Sequence, residues 1–261
     1  MRAIWAQRAV LQQLVLRDFR SRYLSTWTGR LWILLHPLLL LALYHFIFTT
    51  IFRTRLPNIE DSALLPYVAI GLWPWLAFSE ALQRAVGAVE QNAAMLAKVA
   101  VRPELFVLAP VISTFGLHLI GVTAVLGFLS VWSPALSLSG LPVLWLAMLL
   151  CFAFTLGLSL LLGALNVFIR DIAQILGQAL GFLFFLTPVI YAPEALGPHI
   201  AEALTWNPLA TAIQAARHAL LDFGRWPDAG ALGYALGCLA AALALGQLCF
   251  TRLRQRFEDF L

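Results

Sequence analysis

Residues 17–48 read RDFRSRYLSTWTGRLWILLHPLLLLALYHFIF, in which four arginines within fourteen positions run directly into an apolar stretch carrying one proline and two histidines. A spanning helix needs about 20 largely apolar residues, and Leu31–Phe52 provides them. Upstream, Ile4, Leu11, Val15 and Phe19 share one face of a helical wheel, with Arg2, Gln13, Arg17 and Arg20 opposite. A basic amphipathic helix of this kind lies in the plane of the membrane interface. Trp27 and Trp32 then fall at headgroup depth, where indole rings are favoured. The pattern predicts a surface helix within residues 1–30 joined to a first membrane span.

The rest of the chain continues this reading. Its 261 residues are 61% hydrophobic and 11% charged, whereas a soluble domain carries roughly 25% charged residues. Five further stretches are long and apolar enough to cross: Pro66–Val89, Phe106–Val131, Leu141–Phe168, Ile172–Tyr191 and Ala229–Phe250. The expected fold is therefore an all-α integral membrane protein with six transmembrane helices in one domain, 1–261. The second stretch carries Glu80, Gln83 and Arg84. Glu80 and Arg84 stand four apart on one helix face, so they are expected to pair there. The fourth and fifth are separated by the short turn Ile169–Asp171, and no repeat or Gly/Pro/Ser-rich linker divides the chain.

Basic residues set the orientation. With the N-terminus inside, thirteen of the 17 Lys and Arg residues fall on inner segments and four (Arg53, Arg55, Arg217, Arg225) on outer ones. An even number of spans places both termini in the cytoplasm. No short apolar stretch with an A-x-A-like site opens the sequence, so no removable signal peptide is expected. Cys151, Cys238 and Cys249 lie inside apolar runs without CxxC spacing, as small packing residues do.

The connection between the last two spans, 193–223, is too polar to cross and too apolar to float free. Asn207 before Pro208 is a capping side chain followed by proline at the first helical position. Pro193 with Glu194 reads as a similar start. Two short re-entrant helices at the outer leaflet are expected, held by Ile200, Leu204, Leu209, Ile213 and Leu220. Non-helical backbone at that depth must be buried in protein or line a cavity, which points to a gate.

Much chemistry is absent from the sequence. The single lysine, Lys98, follows Met-Leu-Ala, so there is no phosphate-binding loop, and neither H-E-x-x-H nor G-x-S-x-G occurs. No catalytic residue, metal site or cofactor site is expected in this chain, and any energy must come from another subunit. The basic residues are not gathered on a soluble domain, so nucleic acid is not an expected partner. The aromatic content, 18 Phe, 9 Trp and 5 Tyr, is more informative. Trp73 and Trp75 read as an interfacial belt at the outer end of the second span. Tyr44, Phe48, Phe78, Phe182, Phe184, Phe185 and Tyr191 cluster in spans that also carry prolines and glycines. Aromatic faces stack on the C–H faces of sugars, so Tyr44, Phe48, Phe78, Phe185 and Tyr191 are candidates for a glycan conduit, with packing as the alternative for each. Between spans two and three, Gln91–Pro103 is short, mixed and helix-prone, a candidate docking helix for a soluble partner through Gln91, Lys98 and Arg102.

Three stretches together carry a resemblance. RSRYLSTWTGRLWILLHPL (Arg20–Leu38) is similar to the leading motif of the ABC-2 type permeases that export O-antigen, capsule and teichoic acid polysaccharides. Arg22, Tyr23, Gly29, Trp32, Pro37 and Leu38 match it, while Thr26 and Thr28 stand where serine and leucine are usual. NVFIRDI (Asn166–Ile172) and Thr187–Arg217, with Pro188, Tyr191, Pro198, Asn207, Pro208 and Arg217, resemble the segment before span five and the outer gate. The resemblance implies a homodimeric permease in the cell inner membrane, paired with two ATP-binding cassette subunits that hold the ATP and Mg. It implies a lipid-linked glycan as cargo, docking through the helix between spans two and three, and admission of substrate near Arg20, Arg22, Tyr23, Arg30 and Trp32. Pro198, Trp206, Asn207, Pro208 and Arg217 would form the outer gate. An ABC-2 exporter of drugs or small lipids, and an intramembrane transferase using Asn166, Arg170 and Asp171, are the competing readings.

Overall fold

The computed structural model describes residues 7–23, 27–47, 63–99, 101–193 and 196–260. Among these residues every regular element is a helix. Their order is α1 (Arg8–Tyr23), α2 (Trp27–Phe46), α3 (Leu64–Val86), α4 (Ala88–Gln91), α5 (Ala93–Leu96), α6 (Glu104–Leu129), α7 (Leu141–Asn166), α8 (Asp171–Phe185), α9 (Pro198–Leu204), α10 (Pro208–Leu221) and α11 (Ala229–Leu253). Three of the helical stretches are long and apolar enough to cross a membrane: Glu104–Leu129, Leu138–Asn166 and Ala229–Phe257. α8 is apolar but shorter, and it stops at Phe185, where residues 172–191 predict one continuous span.

The centre of the bundle is α3. Tyr67, Ile70, Leu72, Trp73, Phe78 and Leu82 are all fully buried, packed chiefly against α6, α7 and α10. Trp73 and Trp75 are therefore core side chains, not members of an interfacial belt. They stand about 14 and 17 Å along α3, near its middle, on a face turned towards neighbouring helices. The Glu80–Arg84 pair is also replaced. Arg84 bonds to Asp18 of α1 and to Thr114 of α6 at 2.9 Å, and Glu80 meets His118 of α6 at 2.9 Å. Partners on α1 and α6 reach these side chains where the helices pack, so each charge is paired across helices rather than along one face.

α7 and α11 make the closest crossing. A Cβ on Gly246 would lie 2.1 Å from the Gly157 carbonyl, and one on Gly157 would lie 2.5 Å from the Ala242 carbonyl carbon. Small residues four apart on α11 let the two backbones touch, the usual device for holding helices together in lipid. Between α6 and α7 a tight turn, Leu138–Gly140, is tied to the end of α10 by Ser137 N–H donating to Leu220 O at 2.8 Å.

α1 keeps Leu11, Val15 and Phe19 of the predicted apolar face partly buried and Gln13, Arg17 and Arg20 exposed, while Arg2 and Ile4 lie outside the described residues. Leu14 is its buried residue, with Val10, Leu11 and Val15 beside it against Leu105, Phe106 and Ala109 of α6 and Ala88. The helix packs on protein along one edge, which rotates the wheel towards Leu14 and Asp18. The segment before α6 is not one docking helix either: α4 and α5 are four residues each, broken at Asn92.

Candidate functional site

The most fully specified polar cluster lies where α8 ends. Leaving a helix frees carbonyls, and in a membrane each must find a donor. Phe185 O accepts from the Tyr191 hydroxyl at 2.8 Å, and Leu186 O accepts from Asn207 Nδ2 at 3.2 Å. Pro188 O and Val189 O each accept from Arg217, both at 2.6 Å, through Nη1 and Nη2. Tyr191 O accepts from the Tyr67 hydroxyl at 2.9 Å. Five carbonyls at the break thus find side-chain donors, in Tyr67 of α3, in Asn207 and Arg217 at the cap and within α10, and in Tyr191 of the break itself.

Arg217 holds this cluster together. It is buried, its guanidinium carbon stands 3.6 Å from the centroid of the Tyr67 ring, and Nε and Nη2 also reach Tyr67 O at 3.4 and 3.3 Å. The charge is balanced by carbonyl dipoles and a ring face. Gly71 is what lets it fit, because a Cβ there would come within 2.5 Å of both Arg217 Nη2 and Val189 O. Asn207 acts twice: its Oδ1 caps α10 by accepting from Leu209 N–H at 3.0 Å, and its Nδ2 bonds the break, including Thr187 Oγ1 at 2.9 Å. Pro208 is the first residue of α10, as its sequence pattern predicts. α9 begins at Pro198, and Glu194 of the Pro193–Glu194 start lies outside the described residues. Trp206 is exposed and packs edge-on against Tyr234 of α11, ring centroids 4.9 Å apart.

The conduit aromatics divide. Phe185 is 69% exposed and Phe182 73% exposed. Tyr44 is half-buried, stacked on Phe184 at 6.5 Å, and Tyr191 is half-buried with its hydroxyl engaged. Phe78 is a core residue, 1% exposed between Trp75 and Phe154. Phe48 lies outside the described residues, as do the side chains of Arg22, Tyr23, Arg30, Trp32 and Pro198. At 100° per residue, Asp171, Gln174, Gln178, Gly181, Phe182 and Phe185 fall on one face of α8, and all are exposed. Gln174 and Gln178 are not among the residues expected from sequence, although two amides four apart in an apolar helix are a readable signal. An amide facing hydrocarbon leaves its hydrogen bonds unmade. The face is polar near the start of α8 and aromatic towards its end, so it suits a wet, protein-lined path.

At the other end of the bundle, buried Glu104 at the start of α6 accepts from Arg254 and lies 3.5 Å from Arg102, tying the end of α11 to the segment before α6. Arg102, a predicted docking residue, is therefore an internal partner, while Lys98 and Gln91 are exposed. Glu90 of α4 meets Arg170 at 3.3 Å and Asn166 at 3.4 Å, and Asn166 Oδ1 receives Ala173 N–H of α8 at 3.0 Å. The segment between α3 and α6 is thereby linked to the start of the exposed α8 face. Arg20 of α1 stays at the surface.

Residues 9–221 match the ABC-2 type transporter family. The O-antigen export system permease protein RfbA of Klebsiella pneumoniae is 27% identical over 249 residues, covering 94% of this chain and 92% of that protein. The protein of the same name in Myxococcus xanthus is 27% identical over 263 residues, covering 99% and 98%. The polysialic acid transport protein KpsM of Escherichia coli is 24% identical over 217 residues, 82% of each chain.

Proposed function

This chain belongs to the ABC-2 type transporter family, and we propose that it is the membrane permease of an exporter that moves a lipid-linked polysaccharide out across the inner membrane. ATP is hydrolysed in a separate cassette subunit, which holds the nucleotide and Mg. The observation that carries the reading is the exposed face of α8. Gln174 and Gln178 followed by Phe182 and Phe185 give hydrogen-bonding rungs and then stacking faces along one line. Amides bond sugar hydroxyls, and aromatic rings cover sugar C–H faces without holding them tightly. Stacking of about 1–3 kcal/mol per ring is the scale for nucleic-acid bases, and contacts no stronger than this let a polymer slide.

Two copies of the chain enclose the path, each contributing α8 and the half-buried Tyr44. Six spans bring both termini to the cytoplasm. Short helices α9 and α10 lie at the outer leaflet, and the cluster around Arg217 closes the exit until the cassette subunit drives it open. That subunit docks on the segment between α3 and α6, where Gln91 and Lys98 are exposed at the surface. The link from Glu90 to Arg170 and Asn166 offers a route for movement into α8. Substrate is admitted beside α1 and the start of α2, near Arg20, Arg22, Tyr23, Arg30 and Trp32. Co-purification with a cassette ATPase tests the assignment: lipid-linked glycan should stimulate its ATP hydrolysis. An ATPase that binds and remains indifferent to glycan overturns the choice of cargo.

A further inference from the structure

We propose that the cleft between α1, α3, the α4–α5 segment and α6 holds the phosphate group of a lipid headgroup, and that Asp18 stands in that group's place in the closed protein. Arg84 Nη2 donates to one carboxylate oxygen of Asp18 and the Ser113 hydroxyl donates to the other. Arg84 Nη1 is fixed by Thr114 Oγ1 at 2.9 Å, which sets the plane of the guanidinium. A guanidinium and a hydroxyl converging on two oxygens of one anion form the donor set that phosphate also takes. Asp18 reaches it from another helix, so its carboxylate can leave while the donors stay.

Space and further donors adjoin the cradle. The cleft is about 510 Å³ and is lined by Arg17, Ser21, Gln83, Gln91 and Asn92 as well as by Asp18 and Arg84. Arg17 points Nη1 at the Met95 sulfur, 3.8 Å away, and no carboxylate compensates its charge among the described residues. With Asp18 displaced, two arginines would face the incoming anion. The depth also suits a headgroup. α6 is about 39 Å long against a hydrocarbon core of about 30 Å, so its first turns stand clear of the hydrocarbon. Ser113 lies about 14 Å along it, about 5 Å past the inner boundary when all of the excess length stands on that side. Free phosphate would meet this cleft from water, whereas a lipid brings its phosphate to that depth.

A phosphate in the cradle would break the polar ties of α1 to α3 and α6, leaving only its apolar packing, and would touch Gln91 and Asn92, next to the proposed docking surface. Cargo would then be sensed at the ATPase before transport begins. The identity of the lipid rests on the export reading above; the phosphate cradle does not.

The test uses the permease with its cassette ATPase in phosphatidylcholine nanodiscs, with radiolabelled probes. Farnesyl pyrophosphate represents an isoprenoid-linked cargo, phosphatidylglycerol a bulk phospholipid, and inorganic pyrophosphate a soluble anion. Asp18→Asn should tighten binding of a lipid probe about tenfold, the weight of one charge-assisted hydrogen bond no longer contested. Arg84→Gln should abolish the site. Because that change also loosens α1, Arg17→Gln supplies a second reading, with binding weakened about fivefold while the complex assembles normally. Tightening for farnesyl pyrophosphate supports a cargo site. Tightening for phosphatidylglycerol alone supports the cradle and detaches it from the cargo. Unchanged binding of both lipids in Asp18→Asn overturns the proposal, as does inorganic pyrophosphate binding as tightly as either lipid. Glycan-stimulated hydrolysis would survive both of those failures, so the export reading is judged separately.

Discussion

Replacing Arg217 by alanine removes two 2.6 Å hydrogen bonds and a ring contact at 3.6 Å from a buried site. Pro188 O and Val189 O would lose their charged donor. Each buried carbonyl left unsatisfied costs about 1–3 kcal/mol, and a desolvated cation–π contact adds about 2. Water entering the space returns part of this, so the closed outer end should weaken by about 3–6 kcal/mol. The assay is cysteine labelling. With Cys151, Cys238 and Cys249 replaced, Ala215→Cys sits at a position 8% exposed, whereas Ala203→Cys on α9 sits at an exposed one. A loss of about 3 kcal/mol raises the open population roughly a hundredfold, and labelling follows that population when reclosing is fast. In the Arg217→Ala background the thiol introduced by Ala215→Cys should therefore react with an impermeant reagent on the order of 10² times faster, while the thiol introduced by Ala203→Cys keeps its rate. Arg217→Lys keeps the charge but loses the fork and should fall between. Labelling of the Ala215→Cys protein at the same rate with and without Arg217→Ala would refute the assigned role.

Three further outcomes follow from the packing. Phe78→Ala should cost about 3–5 kcal/mol in detergent unfolding, while Phe185→Ala leaves the unfolding midpoint in place and slows export. A midpoint that falls as far for Phe185 as for Phe78 would return both to the core. Gly246→Ala places a methyl group 2.1 Å from the Gly157 carbonyl and should destabilise the α7–α11 crossing by about 1–3 kcal/mol. Gly237→Ala, with nothing within 4 Å, should be silent in the same measurement. Lys98→Glu should weaken ATPase docking without changing unfolding, whereas Arg102→Glu should destabilise the fold through its repulsion of buried Glu104. Equal effects of the two on docking alone would contradict this division.

What the sequence disclosed followed from local chemistry. The Asn207–Pro208 start of α10 is written in two adjacent residues, and the ends of α6, α7 and α11 follow from unbroken apolar runs. Facing is different. Trp73 and Trp75 have the composition of a belt, and only the neighbours of α3 reveal them as core. Asp18 is hidden among arginines, and its importance depends on Arg84, 66 positions away in the chain. Gln174 and Gln178 vanish in a window average because apolar residues surround them. The break after Phe185 is signalled locally only by Pro188, three residues beyond the last helical position, whereas the donors that make it tolerable come from Tyr67, Asn207 and Arg217, distant in the chain.

Export of a lipid-linked polysaccharide is tested most directly by reconstitution. The permease and its cassette ATPase, placed in vesicles with the ATPase face outward, receive radiolabelled lipid-linked glycan in the outer leaflet and then ATP. Export predicts that the glycan becomes progressively inaccessible to an added glycosidase, with ATP required. Alanine at both Phe182 and Phe185 should slow this transfer while ATP binding persists. Glycan that stays fully accessible in the presence of ATP hydrolysis would contradict the claim.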